Sequence, residues 1–540
     1  MYFPPYGDTI GSIVVKHVNG QLVDVLSGKI YPACVNFYEG KVVRIEHKVS
    51  APNQYLLPGL IDARVHIESS SLTPYRFAEQ AVAHGTTAVI ADPTPVAAAM
   101  GMDGINFLME DGRASPLRFY FAAPSSLHSS TGLDWRTVRE LLGRPEFVAL
   151  GEVTEVAAVL GEEPETLAKM EVARQSGKPI DGFAPGLHGY DLDRYIMAGI
   201  SSDHGCTSVK EAQEKQRRGM TVIVEEGAGA QQLDALAEFM KGNRYLLATG
   251  NLGAPDIIGG HMDELLRRSV ARGVDPVHAV RAATLWPAER YKLAGGSLYV
   301  GGAADLTVVN DLKEFKVLET WIGGEQVAKD GTALFLGNPI GVAAPFSIAK
   351  VEANDLEPRS SYPIARARVL EVTDQGLGAG RGTADLAVQN GRVMADPRRD
   401  IALLAWVDPW RGGSPKAAFV RGFGFTAGAV ATSQVVGAAG ILAVGTDAVS
   451  VAEAMNMVLK AGGGKAATKG KCWTILALPE GGMMSSLPAR QIAEGELELR
   501  SFVREMGSTL LPDPLLSLSY LGREVRWAFE MEPVMEMRSA

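Results

Sequence analysis

The residues with the most chemical promise crowd into one short stretch, Leu57-Pro-Gly-Leu-Ile-Asp-Ala-Arg-Val-His-Ile-Glu-Ser-Ser70. Pro58-Gly59 breaks the chain, Leu60 and Ile61 open a buried strand, and Asp62, Arg64, His66 and Glu68 then fall on alternate positions. Alternate residues of an extended strand project to one side, so the spacing predicts four ionisable groups on a single face. A core strand has no use for such a row. At the C-terminal end of a strand in a parallel barrel it would stand where chemistry is done. On spacing alone, a solvated strand end is the competing reading.

Those groups need a scaffold, and the chain supplies the pattern of one. Strand-like runs begin at Leu60 and recur at 86–91, 118–122, 147–150, 180–183, 199–202, 221–224 and 245–248. Between them, stretches such as 73–84, 230–241 and 262–272 carry apolar residues three and four apart, the helical period. Eight strands with intervening helices predict an α/β fold, a (β/α)8 TIM-type barrel. Ahead of it, residues 12–48 read as short β-branched strands, Ile13-Val-Val15 among them, cut by Asn19-Gly20, Ser27-Gly28 and Glu39-Gly40. A similar pattern returns at 305–310 and 319–324. Past about residue 345, Gly-rich strands alternate with helices at 451–461 and 487–505, which predicts a separate α/β or α+β domain.

Composition narrows the classes. The chain has 540 residues, 46% hydrophobic and 21% charged, with a formal charge of −10. That length exceeds one ordinary core, and the balance is that of a soluble globular protein. Net negative charge disfavours nucleic acid, whose phosphates need clustered cations. Cys34, Cys206 and Cys472 are far apart and form neither a disulfide framework nor a Cys-x-x-Cys metal pattern. The start lacks a basic, then apolar, leader, and no apolar run reaches membrane-spanning length. A cytoplasmic protein is expected. All nine histidines lie at or before His278, so any imidazole chemistry belongs to the first half.

The opening stretch resembles the first barrel strand of the amidohydrolase superfamily, which ends in His-x-His with both imidazoles on metal. The continuation Ile67-Glu-Ser-Ser-Ser-Leu-Thr-Pro74 is similar to the adenine deaminase family, as is the tail Leu511-Pro-Asp-Pro-Leu-Leu-Ser-Leu-Ser-Tyr-Leu521. The resemblance implies a split β-sandwich from residues 1–57 and 297–344, a barrel over 58–296 and an adenine-deaminase-type C-terminal domain over 345–540. It implies hydrolysis of adenine to hypoxanthine and ammonia, with metal activating water and a carboxylate moving protons. By the same resemblance Glu152, in Leu150-Gly-Glu-Val153, is the metal-bridging carboxylate, and His66 and His204 are ligands. Glu68, His188 and Asp203 are the expected substrate-binding residues, and Glu152 and Arg64 the expected catalytic pair.

The departures from that pattern fall on coordinating groups. Arg64 replaces the first His, and a guanidinium has no lone pair for a metal. Thr94 follows Asp92-Pro93 where a His is expected, and Phe183 stands for the His of Asp-Gly-His-Ala-Pro-Gly-Leu. Glu225 replaces an Arg, and Gly250 replaces an Asp. In the C-terminal domain, Val436 to Gly440 takes the place of His-Asp-Ser-His-Asn. One divalent metal (Zn, Fe or Mn) or none is therefore expected, with an Arg64–carboxylate pair in place of the two-metal centre. Three readings follow: a weakened deaminase on a cyclic amidine or amide, a non-catalytic purine-binding member or partner of an active paralogue, and a metal-free enzyme using Arg64, Glu152 and His204. Homo-oligomers or hetero-oligomers with an active homologue are compatible with each.

Overall fold

The structure, a computed structural model, describes residues 15–126, 133–373, 378–508, 510, 513–529 and the backbone of 534–535. Ile13 and Val14 of the predicted first strand, and residues 511–512 of the tail motif, lie outside them.

Eight parallel strands surround the barrel axis: β1 (Leu60–Val65), β2 (Thr86–Ala91), β3 (Arg118–Ala123), β4 (Phe147–Val153), β5 (Ile180–Gly182), β6 (Ser202–Asp203), β7 (Thr221–Gly227) and β8 (Leu246–Ala248). Strands β1 to β5 pair in sequence, and β7 pairs with both β6 and β8. Single bridges Ile180↔Ile200 and Val65↔Gly250 join the two sets and close the barrel. Closure puts the end of β1 between β2 and β8, which is why all six of its residues are buried.

Two expected elements shift. The strand expected at 199–202 becomes Ser202–Asp203, because Gly199 sits at φ +109 and ends a turn. The helix expected over 230–241 spans Leu233–Met240, because Ala230–Gln231 pairs back antiparallel on Glu226 and Gly227. Helix Pro74–Ala83 starts one residue into its predicted range, with the Thr73 hydroxyl accepting from Arg76 N–H.

The segments flanking the barrel join in one eight-stranded sheet, in which Tyr55–Pro58 lies between Lys16–Asp24 and Leu306–Val309. The C-terminal region forms a ten-stranded, mostly antiparallel sheet. Its strand Ile401–Val407 is buried on both faces. Leu403 and Ala405 pack with helix Ala448–Lys460, while Ala402 and Leu404 face α1 (Ala489–Glu505) and α2 (Pro514–Tyr520).

This sheet domain docks on the barrel mouth through backbone: Ser485 N–H donates to Ser71 C=O (2.8 Å) and Thr73 N–H to Ser485 C=O (3.2 Å). Gln434 Nε2 adds bonds to the Glu68 and Met483 carbonyls, each 2.7 Å. Among the described residues no helix is long and apolar enough to cross a membrane.

Candidate functional site

Between barrel mouth and sheet domain lies a cavity of about 430 Å³. Arg64, His66, Glu68 and Glu152 line it from the barrel, with Tyr520 and Arg523 opposite. The alternation read from the sequence holds only in part. Asp62 points deeper, where it accepts from Thr249 N–H (3.1 Å) and Arg64 N–H (3.2 Å) and meets His261. Glu68 lies past the strand in a 3-10 turn, Ile67–Ser70.

Arg64 is the hub. Its guanidinium donates to Glu225 Oε2 (2.5 Å) and Glu152 Oε2 (2.9 Å), and approaches His66 Nε2 at 2.7 Å. Burial works against its charge, but Glu152, Glu225 and Asp92 outweigh burial and hold it protonated. Burial likewise raises the Glu152 carboxyl, yet Arg64 and then His204 hold it well below the usual carboxylate range. Glu225 and Gly250 fit one another. A Cβ on Gly250, at φ +62, would lie 2.1 Å from Glu225 Cδ and Oε1. The Glu225 side chain, from β7, thus fills the space beside Gly250, just past the end of β8.

The three expected ligands are engaged by protein. His66 Nδ1 lies 3.0 Å from the Asp92 carbonyl, and Nε2 faces Arg64 (2.7 Å) and Glu152 Oε1 (3.6 Å); burial and then Arg64 lower its pKa, but Glu152 and Glu68 outweigh them and raise it to about 10. His204 Nε2 lies 2.8 Å from Glu152 Oε2; an ionised carboxylate only accepts, so that nitrogen carries the proton. Nδ1 of His204 is buried with no hydrogen-bond partner among the described residues, on a ring stacked against Phe183 at 4.7 Å. His66, Asp92 and Glu152, rather than the expected set with His204, bring their ligand atoms within 4.8 Å of one another. A dication there would meet the Arg64 charge at close range, a repulsion on the order of several kcal/mol at an effective dielectric of about 20. The donor set fits a guanidinium and does not fit a divalent metal.

Of the expected substrate contacts, only Glu68 reaches the cavity. It is 4% exposed, both carboxylate oxygens lack a hydrogen-bond partner among the described residues, and His66 Nδ1 stands 3.4 Å from Oε1. His188 is exposed at the start of helix Gly189–Met197, its Nδ1 on the Gly186 carbonyl. Asp203 is fully buried against Lys215 Nζ (2.7 Å) and accepts from Ala184 N–H (2.8 Å), which fixes the loop after β5. Asp256 caps its own helix at Gly253 N–H.

Sequence reasoning missed Gln434, Glu496, Tyr520 and Arg523, all from the sheet domain. Tyr520 Oη is 3.4 Å from Asn251 Nδ2, and the Arg523 guanidinium lies 4.7 Å from the Tyr520 ring centre and 5.8 Å from that of Phe183. The one available signal was the Val436–Gly440 replacement, since Val436, Gly437 and Ala438 form part of the cavity wall.

The sequence profile of the amidohydrolase family matches residues 55–327, and that of the adenine deaminase C-terminal domain matches 379–528. An adenine deaminase of Methanosphaera stadtmanae is 36% identical over 517 residues, covering 94% of this chain and 95% of its own. The chain belongs to the adenine deaminase family. Another member, the adenine deaminase of Salinibacter ruber, is 36% identical over 93% of this chain and 94% of its own. Among solved structures, a β-aspartyl dipeptidase from Fervidobacterium islandicum AW-1 is similar over 61% of this chain and all of its own, at 17% identity and a TM-score of 0.47. Amidohydrolases usually bind a divalent metal, and the groups around Glu152 are the candidate ligands here.

Proposed function

We propose that this member of the adenine deaminase family binds a purine-like heterocycle at the barrel mouth and has lost, or retains only a trace of, the family's metal-dependent hydrolysis. The observation that carries the reading is the Arg64 guanidinium seated between Glu225, Glu152 and His66. It stands against Nε2 of one expected ligand and takes the charge of another, and it supplies the positive charge that a metal would supply. Without a metal to lower the pKa of water, no group in the cavity is set up to generate hydroxide near neutral pH. Recognition is what survives: a buried carboxylate at Glu68, an amide at Asn251, and aromatic faces at Phe183 and Tyr520 suit a flat ring bearing N–H donors. A cytoplasmic location belongs to the same proposal, supported by three free cysteines, two of them buried.

Elemental analysis of the purified protein, paired with ammonia release from adenine, tests this. Metal well below one ion per chain and no ammonia above background are expected. Near-stoichiometric zinc, iron or manganese, or turnover restored by added metal, overturns it. Calorimetric titration with adenine tests the binding half separately.

A further inference from the structure

The cavity holds a second buried acceptor that a bare purine anchored at Glu68 leaves unused. Glu496, on α1, is 3% exposed and lines the cavity. Its Oε1 accepts from Ser71 Oγ (2.9 Å) and Lys465 Nζ (2.8 Å), but Oε2 has no hydrogen-bond partner among the described residues. A buried acceptor left bare costs free energy that a ligand donor recovers. The same cavity has apolar lining, Leu499, Val436 and Ala438 among it. At about 430 Å³ the space falls within the roughly 300–1,000 Å³ of pockets that enclose drug-sized ligands.

We infer that the ligand is a purine with a hydroxylated substituent, of the nucleoside class, its base at Glu68 and its sugar hydroxyls donating to Glu496 Oε2. The chemistry at Glu496 selects hydroxyl over the alternatives. A cationic amine would be repelled by the Lys465 ammonium already on Oε1. A phosphate at this point would be repelled by the Glu496 carboxylate, and the cavity-lining Lys465 and Arg500 are already paired, with Glu496 and with Asp513. A carboxylate accepting from sugar hydroxyls is a common ribose contact.

The inference rests on the purine reading above, and calorimetry on the intact chain separates the two. Adenosine is expected to bind about tenfold tighter than adenine, with 2′,3′-dideoxyadenosine falling back to the level of adenine and AMP no better than adenosine. In E496Q, which keeps an acceptor for Ser71 and Lys465, the preference for adenosine over adenine is expected to shrink to a few-fold or less; E68Q weakens both ligands. Adenine binding as tightly as adenosine, or dideoxyadenosine matching adenosine, overturns the nucleoside assignment while leaving the purine reading in place. Binding of none of these compounds overturns both.

Discussion

A single departure from a family pattern is ordinary drift; three that interlock call for one explanation. Arg64, Glu225 and Gly250 are each explicable only through the others: the guanidinium needs Glu225, and Glu225 needs the space an aspartate at 250 would fill. Gly250→Asp alone is therefore expected to destabilise the fold by roughly 2–4 kcal/mol through overpacking and repulsion between carboxylates. Asp tolerates the left-handed backbone there better than most residues, so the clash and not strain is the cause. Adding Glu225→Ala should recover much of the loss, and a double-mutant cycle in urea measures it; additive losses would show that the two positions do not compete for the same space. Arg64→Met leaves Glu225 and Glu152 without their shared cation, and a loss of about 3–5 kcal/mol is expected from denaturant unfolding.

At the scale of elements, the far end of the barrel carries its own titratable joint. His84, just after helix Pro74–Ala83, places Nδ1 3.0 Å from Asp263 Oδ2 and Nε2 3.2 Å from the Ile258 carbonyl. Burial lowers its pKa, but the Asp263 hydrogen bond and charge outweigh this and raise it above the ordinary 6.5. A raised histidine contributes stability that is complete below its unfolded value and is lost as pH rises through the folded one. Stability should therefore fall as pH climbs above 6.5, and His84→Gln should flatten that slope at a cost of about 1 kcal/mol below pH 6. Urea midpoints from pH 5.5 to 8.5 decide it; an unchanged slope in the variant rules the joint out. The barrel strands themselves were readable from β-branched runs between helical periods, because a strand buried on both faces has little freedom in composition. Their ends were less so, since Gly199 and the 227–230 turn reset boundaries through backbone geometry that periodicity does not encode.

The site at the scale of the whole molecule is half legible. The barrel's contribution could be read because Arg64, His66, Glu68 and Glu152 sit beside recognisable loop residues. The sheet domain's contribution could not: Gln434, Glu496 and Tyr520 reach the cavity only through docking, and no local pattern reports what a distant surface will cover. His188 and Asp203 stay outside the cavity lining for the complementary reason, since a helix start and Lys215 claim their side chains. Docking itself can be probed. Gln434→Ala removes the Nε2 amide, whose nitrogen lies 2.7 Å from both the Glu68 and Met483 carbonyls and 3.2 Å from Ser71 Oγ. Amide exchange is expected to quicken in residues 67–73 and 483–486 while both sheet cores keep their protection; a uniform change across the chain would point to global destabilisation instead.

The cation at the heart of this cavity is woven into the polypeptide. It is present as soon as the chain folds, cannot be stripped by a chelator, and cannot be exchanged for the wrong ion. The thermal midpoint is therefore expected to be the same with and without EDTA.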